Sequence, residues 1–213
     1  MAHALGIRRR LGERGVVLTF DDGPHPEGTP AVLEALGDAP AIFFLVGEQV
    51  ERHTATVAEI AAAGHEIALH AYRHRNQMRV GPRAAADDLR RGMEAIGMAT
   101  GRTPALHRPP YGIFTPAGLA LSRRAGLTPL LWSRWGRDWR ARTTPGEIAR
   151  LATRDLGPGD VVLLHDADHY SAAGSHRRTA AAVPLILADI ERRGLYPASA
   201  STPTSSRSAA SGR

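Results

Sequence analysis

Two adjacent carboxylates, Asp21-Asp22, follow the apolar run Val16–Phe20 and precede Gly23-Pro24. Side by side they repel one another, so a cationic group is expected against them. Capping a turn is the ordinary use of one aspartate; a pair at the end of a buried strand points to chemistry. His70 and His74 follow the run Glu66–Leu69. A lone His-x-x-x-His pair arises by chance on helix surfaces, but this one shares a strand-end placement with the two acids. Two imidazoles and one carboxylate are therefore expected to converge on a metal ion, with a fourth position open, as in catalytic zinc-type sites. His165-Asp166 follows Val161–Leu164, which suits the imidazole to donate a proton beside such an ion.

Arg108-Pro109-Pro110-Tyr111 follows the weak run Ala105–His107, and Asp138-Trp139 lies in the loop after Leu127–Trp132. Trp132 ends an apolar run and reads as packing. Trp135 and Trp139 flank charged residues and read as the lining of a sugar-binding groove. His169 and Tyr170 sit in a long loop within reach of a substrate. His25, His53, His65, His107 and His176 show no convergent partners and read as surface residues.

Positioning these groups requires an alternating scaffold. The short apolar runs Val16–Phe20, Ala41–Val46, Glu66–Leu69, Leu127–Trp132 and Val161–Leu164 read as buried strands, with Ala105–His107 as a weaker sixth. The segments between them read as helices. Thr29-Pro30, Gly81-Pro82, Thr115-Pro116 and Thr144-Pro145 each set an N-cap before proline, and Thr144 with Glu147 fits a capping box. Gly64, Gly126 and Gly194 stand where left-handed C-terminal residues are wanted. Pro184 is expected to kink the last helix or mark its true start. Strand and helix alternating predict an α/β fold with a parallel sheet, either an open doubly wound sheet or a barrel, with function at the C-terminal strand ends.

The chain has 213 residues, one domain's length, and no cysteine. Disulfides, thiolate metal sites and cysteine nucleophiles are excluded. No apolar run approaches the roughly 18 residues of a membrane span. The net charge of +6 is concentrated at the ends, and every basic residue is arginine. The middle of the chain is close to neutral, which argues against a nucleic-acid partner. Residues 1–15 read as a basic leader, 16–197 as the catalytic domain and 198–213 as a disordered Ser/Thr/Ala tail. Arg8-Arg9-Arg10 lacks a following apolar stretch, so a cytoplasmic location is expected unless a start lies upstream. With no heptad pattern, a monomer is expected.

Taken together, Thr19-Phe20-Asp21-Asp22-Gly23-Pro24, His70-x-x-x-His74, Arg108-Pro109-Pro110-Tyr111, Asp138-Trp139 and Leu163-Leu164-His165-Asp166 resemble the motifs of the polysaccharide deacetylases, carbohydrate esterase family four. The resemblance spans about residues 16–197. It implies a distorted (β/α) barrel with fewer than eight strands, and one divalent metal ion, zinc, cobalt or manganese, on Asp22, His70 and His74. It also implies Asp21 as base, Arg108 holding that base, the Tyr111 N–H in an oxyanion hole, and His165 as acid oriented by Asp138. Pro110, Tyr111, Trp135, Trp139 and Leu163 are then expected at the substrate.

Three positions depart from the family pattern. Ala71 replaces a hydroxyl residue, Trp135 stands where an aspartate is common, and Leu195-Tyr196-Pro197 breaks off where a final strand is expected. The leading expectation is N-deacetylation of a peptidoglycan- or chitin-type carbohydrate. O-deacetylation of a xylan-like polysaccharide, hydrolysis of a small cytoplasmic amide and a non-catalytic sugar-binding module are the alternatives.

Overall fold

The structure is a computed structural model and describes residues 5–12 and 15–199. Seven strands form one parallel sheet: β1 (Val17–Asp21), β2 (Ala41–Val46), β3 (Glu66–Ala71), β4 (Leu106–His107), β5 (Thr128–Pro129), β6 (Arg134–Trp135) and β7 (Val161–His165). Their order is β5-β4-β3-β2-β1-β7-β6. The expected strand Leu127–Trp132 is therefore corrected: it holds only the two-residue β5 at one edge of the sheet, and β6, at the other edge, begins beyond it at Arg134.

That crossing forces the sheet to curl. A flat sheet of seven strands is roughly 29 Å across at ~4.8 Å per strand. Only the four residues Leu130 to Ser133 join the two edges, and extended chain of that length reaches roughly 18 Å. The sheet closes into a distorted barrel, as the resemblance implies, and an open doubly wound sheet is ruled out. The final strand is reduced to a single parallel bridge between Val16 and Pro197.

Side chains alternate along each strand. Val17, Ile42, Phe44, Ala68, Leu106, Leu130 and Val161 pack with Leu11 in a core that draws on no helix and fills the barrel. The other face, including Leu18, Phe20, Phe43, Leu45, Leu69, Val162 and Leu164, packs beneath the helices. Burying each such side chain contributes roughly 1.5–3 kcal/mol.

The helices are α1 (Gly28–Leu36), α2 (Gly47–Arg52), α3 (Thr54–Ala62), α4 (Pro82–Thr100), α5 (Pro116–Arg124), α6 (Pro145–Ala152) and α7 (Ser175–Arg192). Thr115 and Thr144 cap α5 and α6, and Thr144 with Glu147 forms the full capping box. Gly64, Gly126 and Gly194 all have positive φ. Two helix starts differ from expectation. α1 begins at Gly28, because the Thr29 hydroxyl is used elsewhere, on Asp166. α7 begins at Ser175 and runs through Pro184.

Residues 5–12 lie against the barrel. Ile7 and Leu11 are buried, Arg8 bridges Leu130, and Arg10 pairs with the buried Asp160 at 2.9 Å. In space this part of the basic leader belongs with the sheet. Residues 200–213 of the expected tail lie outside the described residues.

Candidate active site

The inward-facing column of β1, like that of β7, is apolar at its N-terminal end and polar at its C-terminal end. On β1 it runs Val17, Thr19, Asp21, and β7 pairs Asp21 in register with His165. His70 is the penultimate residue of β3, two places beyond Ala68, which the register sets in line with Phe44 and Asp21, and His74 follows in the next loop. Alternation thus delivers Asp21, His70 and His165 to one rim.

Asp22, His70 and His74 offer ligand atoms that all lie within 4.8 Å of one another. Asp22 Oδ1 stands 3.3 Å from His70 Nε2 and 3.2 Å from His74 Nε2. It is buried without a hydrogen-bond partner, which is costly unless a cation faces it. His70 Nδ1 donates to the Arg108 carbonyl at 2.7 Å, so its Nε2 lone pair is free for an ion. A carboxylate with two imidazoles suits several first-row divalent ions. These residues fit a metal. Burial works to raise the Asp22 carboxyl, but His70, His74 and the charge on His165 hold it well below the usual range. Its φ of 79° is a left-handed backbone that aspartate tolerates at some cost.

Asp21 is held differently. Its Oδ1 accepts from Arg108 Nη1 at 2.6 Å. Arg108 is fully buried inside the barrel and also donates to Thr19 Oγ1 and to the carbonyls of Leu130 and Leu131. Its guanidinium lies 4.0 Å over the Phe44 ring. The expected cation against the acid pair is thus Arg108 on Asp21, leaving Asp22 to the histidines.

His165 Nδ1 lies 3.0 Å from Asp138 Oδ1, and Asp138 Oδ2 accepts the His165 N–H at 2.7 Å and the Thr179 hydroxyl at 2.8 Å. Burial alone would lower the imidazole pKa. Asp138 beside it, with Asp22 and Asp21 nearby, more than offsets this and raises it to about 10.

A cleft of about 340 Å³ holds Asp21, Asp22, His70, His74 and His165 together with Tyr111, Gly112, Trp132, Trp135, Trp139, Leu163, Tyr170 and Ser171. Tyr111 has a φ of 62° in a 3₁₀ turn over Pro110–Gly112. That turn's bonds start from Gly112 and Ile113, so they leave the Tyr111 N–H unused. Trp139 meets His165 edge-on at 5.5 Å, and Trp135 meets Trp139 at 6.2 Å. Tyr170 stacks on His74 at 4.1 Å, with its hydroxyl tied to Glu48 and Gln49.

Several expectations are corrected. Pro110 is buried and faces a separate small cavity beside Arg75 and His107, away from the cleft. Trp132 lines the cleft as well as packing. Its ring approaches Gly112 so closely that a Cβ there would overlap it, and Gly112 also has positive φ. His65, His107 and His176 are buried. His107 contacts Ser122 at 3.0 Å, and burial, with the charge of His70, lowers its pKa to about 3.

His25, Asp168 and His176 gather beside the site. His25 Nδ1 accepts backbone N–H bonds from Glu27 and Gly28, so its Nε2 carries the proton and faces Asp168 at 3.3 Å. That arrangement is a link between two loops and leaves His25 no lone pair for an ion. Tyr170 as a ring on a ligand, Thr19 behind Arg108 and Thr179 behind Asp138 carry no local sequence signal. Only the long-range pairing of the strands reveals them.

The polysaccharide deacetylase family model matches residues 8–130. A chitooligosaccharide deacetylase from Bradyrhizobium sp. (strain ANU 289) is 36% identical over 201 residues, covering 88% of this chain and 91% of its own. A peptidoglycan-N-acetylglucosamine deacetylase from Bacillus cereus is 32% identical over 186 residues, covering 85% and 84%. A family 4 carbohydrate esterase from Streptomyces lividans, solved with acetate, superposes with a TM-score of 0.77 at 31% identity over 86% of this chain and 91% of that one. With the barrel, the cleft and the matched sequence in agreement, the chain belongs to the polysaccharide deacetylase family.

Proposed function

We propose that the chain removes N-acetyl groups from an N-acetylglucosamine oligomer or polymer, with Asp21 as general base and His165 as general acid. The observation that carries this reading is the division of labour inside one cleft. Asp21 is bound by Arg108 at 2.6 Å and stands 3.9 Å from His70 Nδ1, while Asp22, beside it in sequence, faces the Nε2 atoms of both His70 and His74. The named relatives, a chitooligosaccharide and a peptidoglycan-N-acetylglucosamine deacetylase, support the substrate class.

An amide is a poor electrophile and an amine a poor leaving group. A divalent ion on Asp22, His70 and His74 would supply Lewis acidity for the acetyl carbonyl and a lowered pKa for a nucleophilic water. Asp21, within the cleft and oriented by Arg108, takes the water's proton. The Tyr111 N–H donates to the oxygen that gains charge in the transition state. His165, kept protonated by Asp138, delivers a proton to the departing nitrogen. Leu163 and the tryptophans exclude water and offer flat faces to the sugar. The products are acetate and a free amino sugar.

The test is acetate release from N-acetylglucosamine oligomers by ion-loaded and chelator-treated protein, beside Asp21→Asn and His165→Ala. Ion-dependent release that both variants lose is the expected result. Full release by Asp21→Asn would remove the base from this reading.

A further inference from the structure

Asp166 follows the proposed acid His165 and takes no part in the chemistry above. It is fully buried, and its Oδ2 accepts a hydrogen bond from the Thr29 hydroxyl. The Thr29 oxygen in turn accepts the His25 N–H at 2.8 Å. A Cβ at Gly23 would overlap both Asp166 carboxylate oxygens, so the carboxylate lies flat against the backbone of the Asp21-Asp22-Gly23 turn. A Cβ at Gly28 would likewise overlap the Asp166 carbonyl. Gly23 is fixed on its other side, where its carbonyl accepts from Val46 N–H at 2.9 Å. Asp166 therefore clasps Gly23 in the turn between β1 and α1, together with Gly28 and Thr29 at the start of α1.

That turn contains Asp22 in its left-handed backbone conformation. A residue held there costs free energy and persists only where the surroundings impose it. We infer that Asp166 is a positioning residue for the metal site: it braces the Gly23 backbone and, through Thr29, fixes the direction in which Asp22 presents its carboxylate to the ion. The inference rests on Asp22, His70 and His74 holding an ion, and not on the identity of the substrate.

Burial carries the Asp166 carboxyl up to about 7, against the lowering effect of Thr29. Its part here is one of shape and hydrogen-bond acceptance, which an asparagine also supplies. Support from outside the ligand set commonly sets metal affinity by ~10- to 100-fold. A second link between the same loops, His25 Nε2 to Asp168 Oδ1 at 3.3 Å, is more exposed and lies farther along the turn from Asp22.

The experiment is a cobalt titration of ion-free protein, following the visible absorption of the bound ion against a competing chelator. Thermal melting of each ion-free protein is measured alongside. Asp166→Ala is expected to bind cobalt ~10-fold or more weakly than the parent chain. Thr29→Val, which keeps the volume and removes the hydroxyl, is expected to show a smaller loss in the same direction with its fold retained. Asp166→Asn is expected to stay within ~3-fold of the parent, between no effect and the usual range for such support. Ile190→Ala, in the outer core away from the turn, serves as a control that lowers melting without lowering cobalt affinity.

Parent affinity in both Asp166→Ala and Thr29→Val would overturn the inference. So would a loss in Ile190→Ala that matches theirs at equal melting temperature. If Asp166→Ala does not fold, Thr29→Val decides the matter: weaker cobalt binding with the fold retained supports the inference, and parent affinity overturns it. A parent chain that binds no cobalt would refute the metal site itself, and a parent that binds cobalt but releases no acetate would refute only the substrate reading.

Discussion

Arg108 Nη1 and Asp21 Oδ1 meet at 2.6 Å in the interior of the barrel, with the arginine wholly out of water and the carboxylate nearly so. A buried pair of this kind adds little net stability, but removing one partner leaves an uncompensated charge.

Asp21→Asn is therefore expected to lose two properties together. Deacetylation should fall by about 10²- to 10⁴-fold, the usual contribution of a general base. Stability should fall by ~3–5 kcal/mol, because the guanidinium keeps its burial and loses its counter-charge. Urea unfolding in parallel with acetate release checks this, and unchanged stability would show that Arg108 finds another partner.

The His165–Asp138 pair sets a pH dependence. In the ion-free protein, burial opposes the charge on His165 and Asp138 more than restores it, carrying the imidazole up to about 10. The stabilisation is fully present below the ordinary imidazole pKa of ~6.5 and disappears as pH rises toward about 10. The stability difference between the parent and Asp138→Asn should shrink across that window, and a difference independent of pH would show that Asp138 acts through its backbone and Thr179 contacts alone. A bound divalent ion pulls the His165 pKa down, so the alkaline limb of activity should lie below about 10.

Removing the ion should abolish acetate release and lower the melting temperature. At an ion concentration 100 times its Kd the loaded protein gains about 2.7 kcal/mol over the stripped one. His74→Ala should erase this gain, since it deletes a ligand and the ring on which Tyr170 stacks. Calorimetric melts with and without chelator provide the measurement.

Trp135 is 40% exposed, and its ring meets Trp132 at a tilt, Trp139 edge-on and the Arg137 guanidinium. Trp135→Ala should leave folding intact and raise KM by about 2- to 10-fold, the worth of one aromatic contact, with kcat much less affected. A fall in kcat at constant KM would place Trp135 in the positioning of His165 through Trp139.

The strand ends were legible because long strands have a period that burial enforces. Val16–Phe20 and Val161–Leu164 mark where their inward columns end, and the polar residue that follows is readable as a site residue. Two-residue strands have no such period. Leu127–Trp132 reads as one strand, although only Thr128–Pro129 pairs and the chain then crosses to the opposite edge at Arg134; strand alternation leaves sheet and barrel open, and only the motif resemblance points to the barrel. Thr29 carries the local pattern of a cap, but its hydroxyl goes to Asp166, and tertiary contact overrides propensity. His107 and His176 looked like surface residues because their burial comes from distant segments, α5 for the one and the β1–α1 turn for the other. Tyr170 reaches His74 across the cleft, a contact no local spacing encodes.

The sheet order also governs when the molecule becomes competent. Thr19 on β1 bonds to Val162 on the neighbouring β7 across 143 residues of sequence, and Asp21 has His165 for its partner in register. On a ribosome Asp21 and Asp22 emerge early, yet β7, which flanks them and bears the proposed acid His165, is made more than a hundred residues later. Non-local pairing of this sort slows folding. Until β7 docks, one side of β1 is an open edge facing the cell's other chains. A nascent or truncated chain ending before residue 161 would hold the aspartates and both ligand histidines without the acid, leaving hydrolysis incomplete and an adhesive strand exposed.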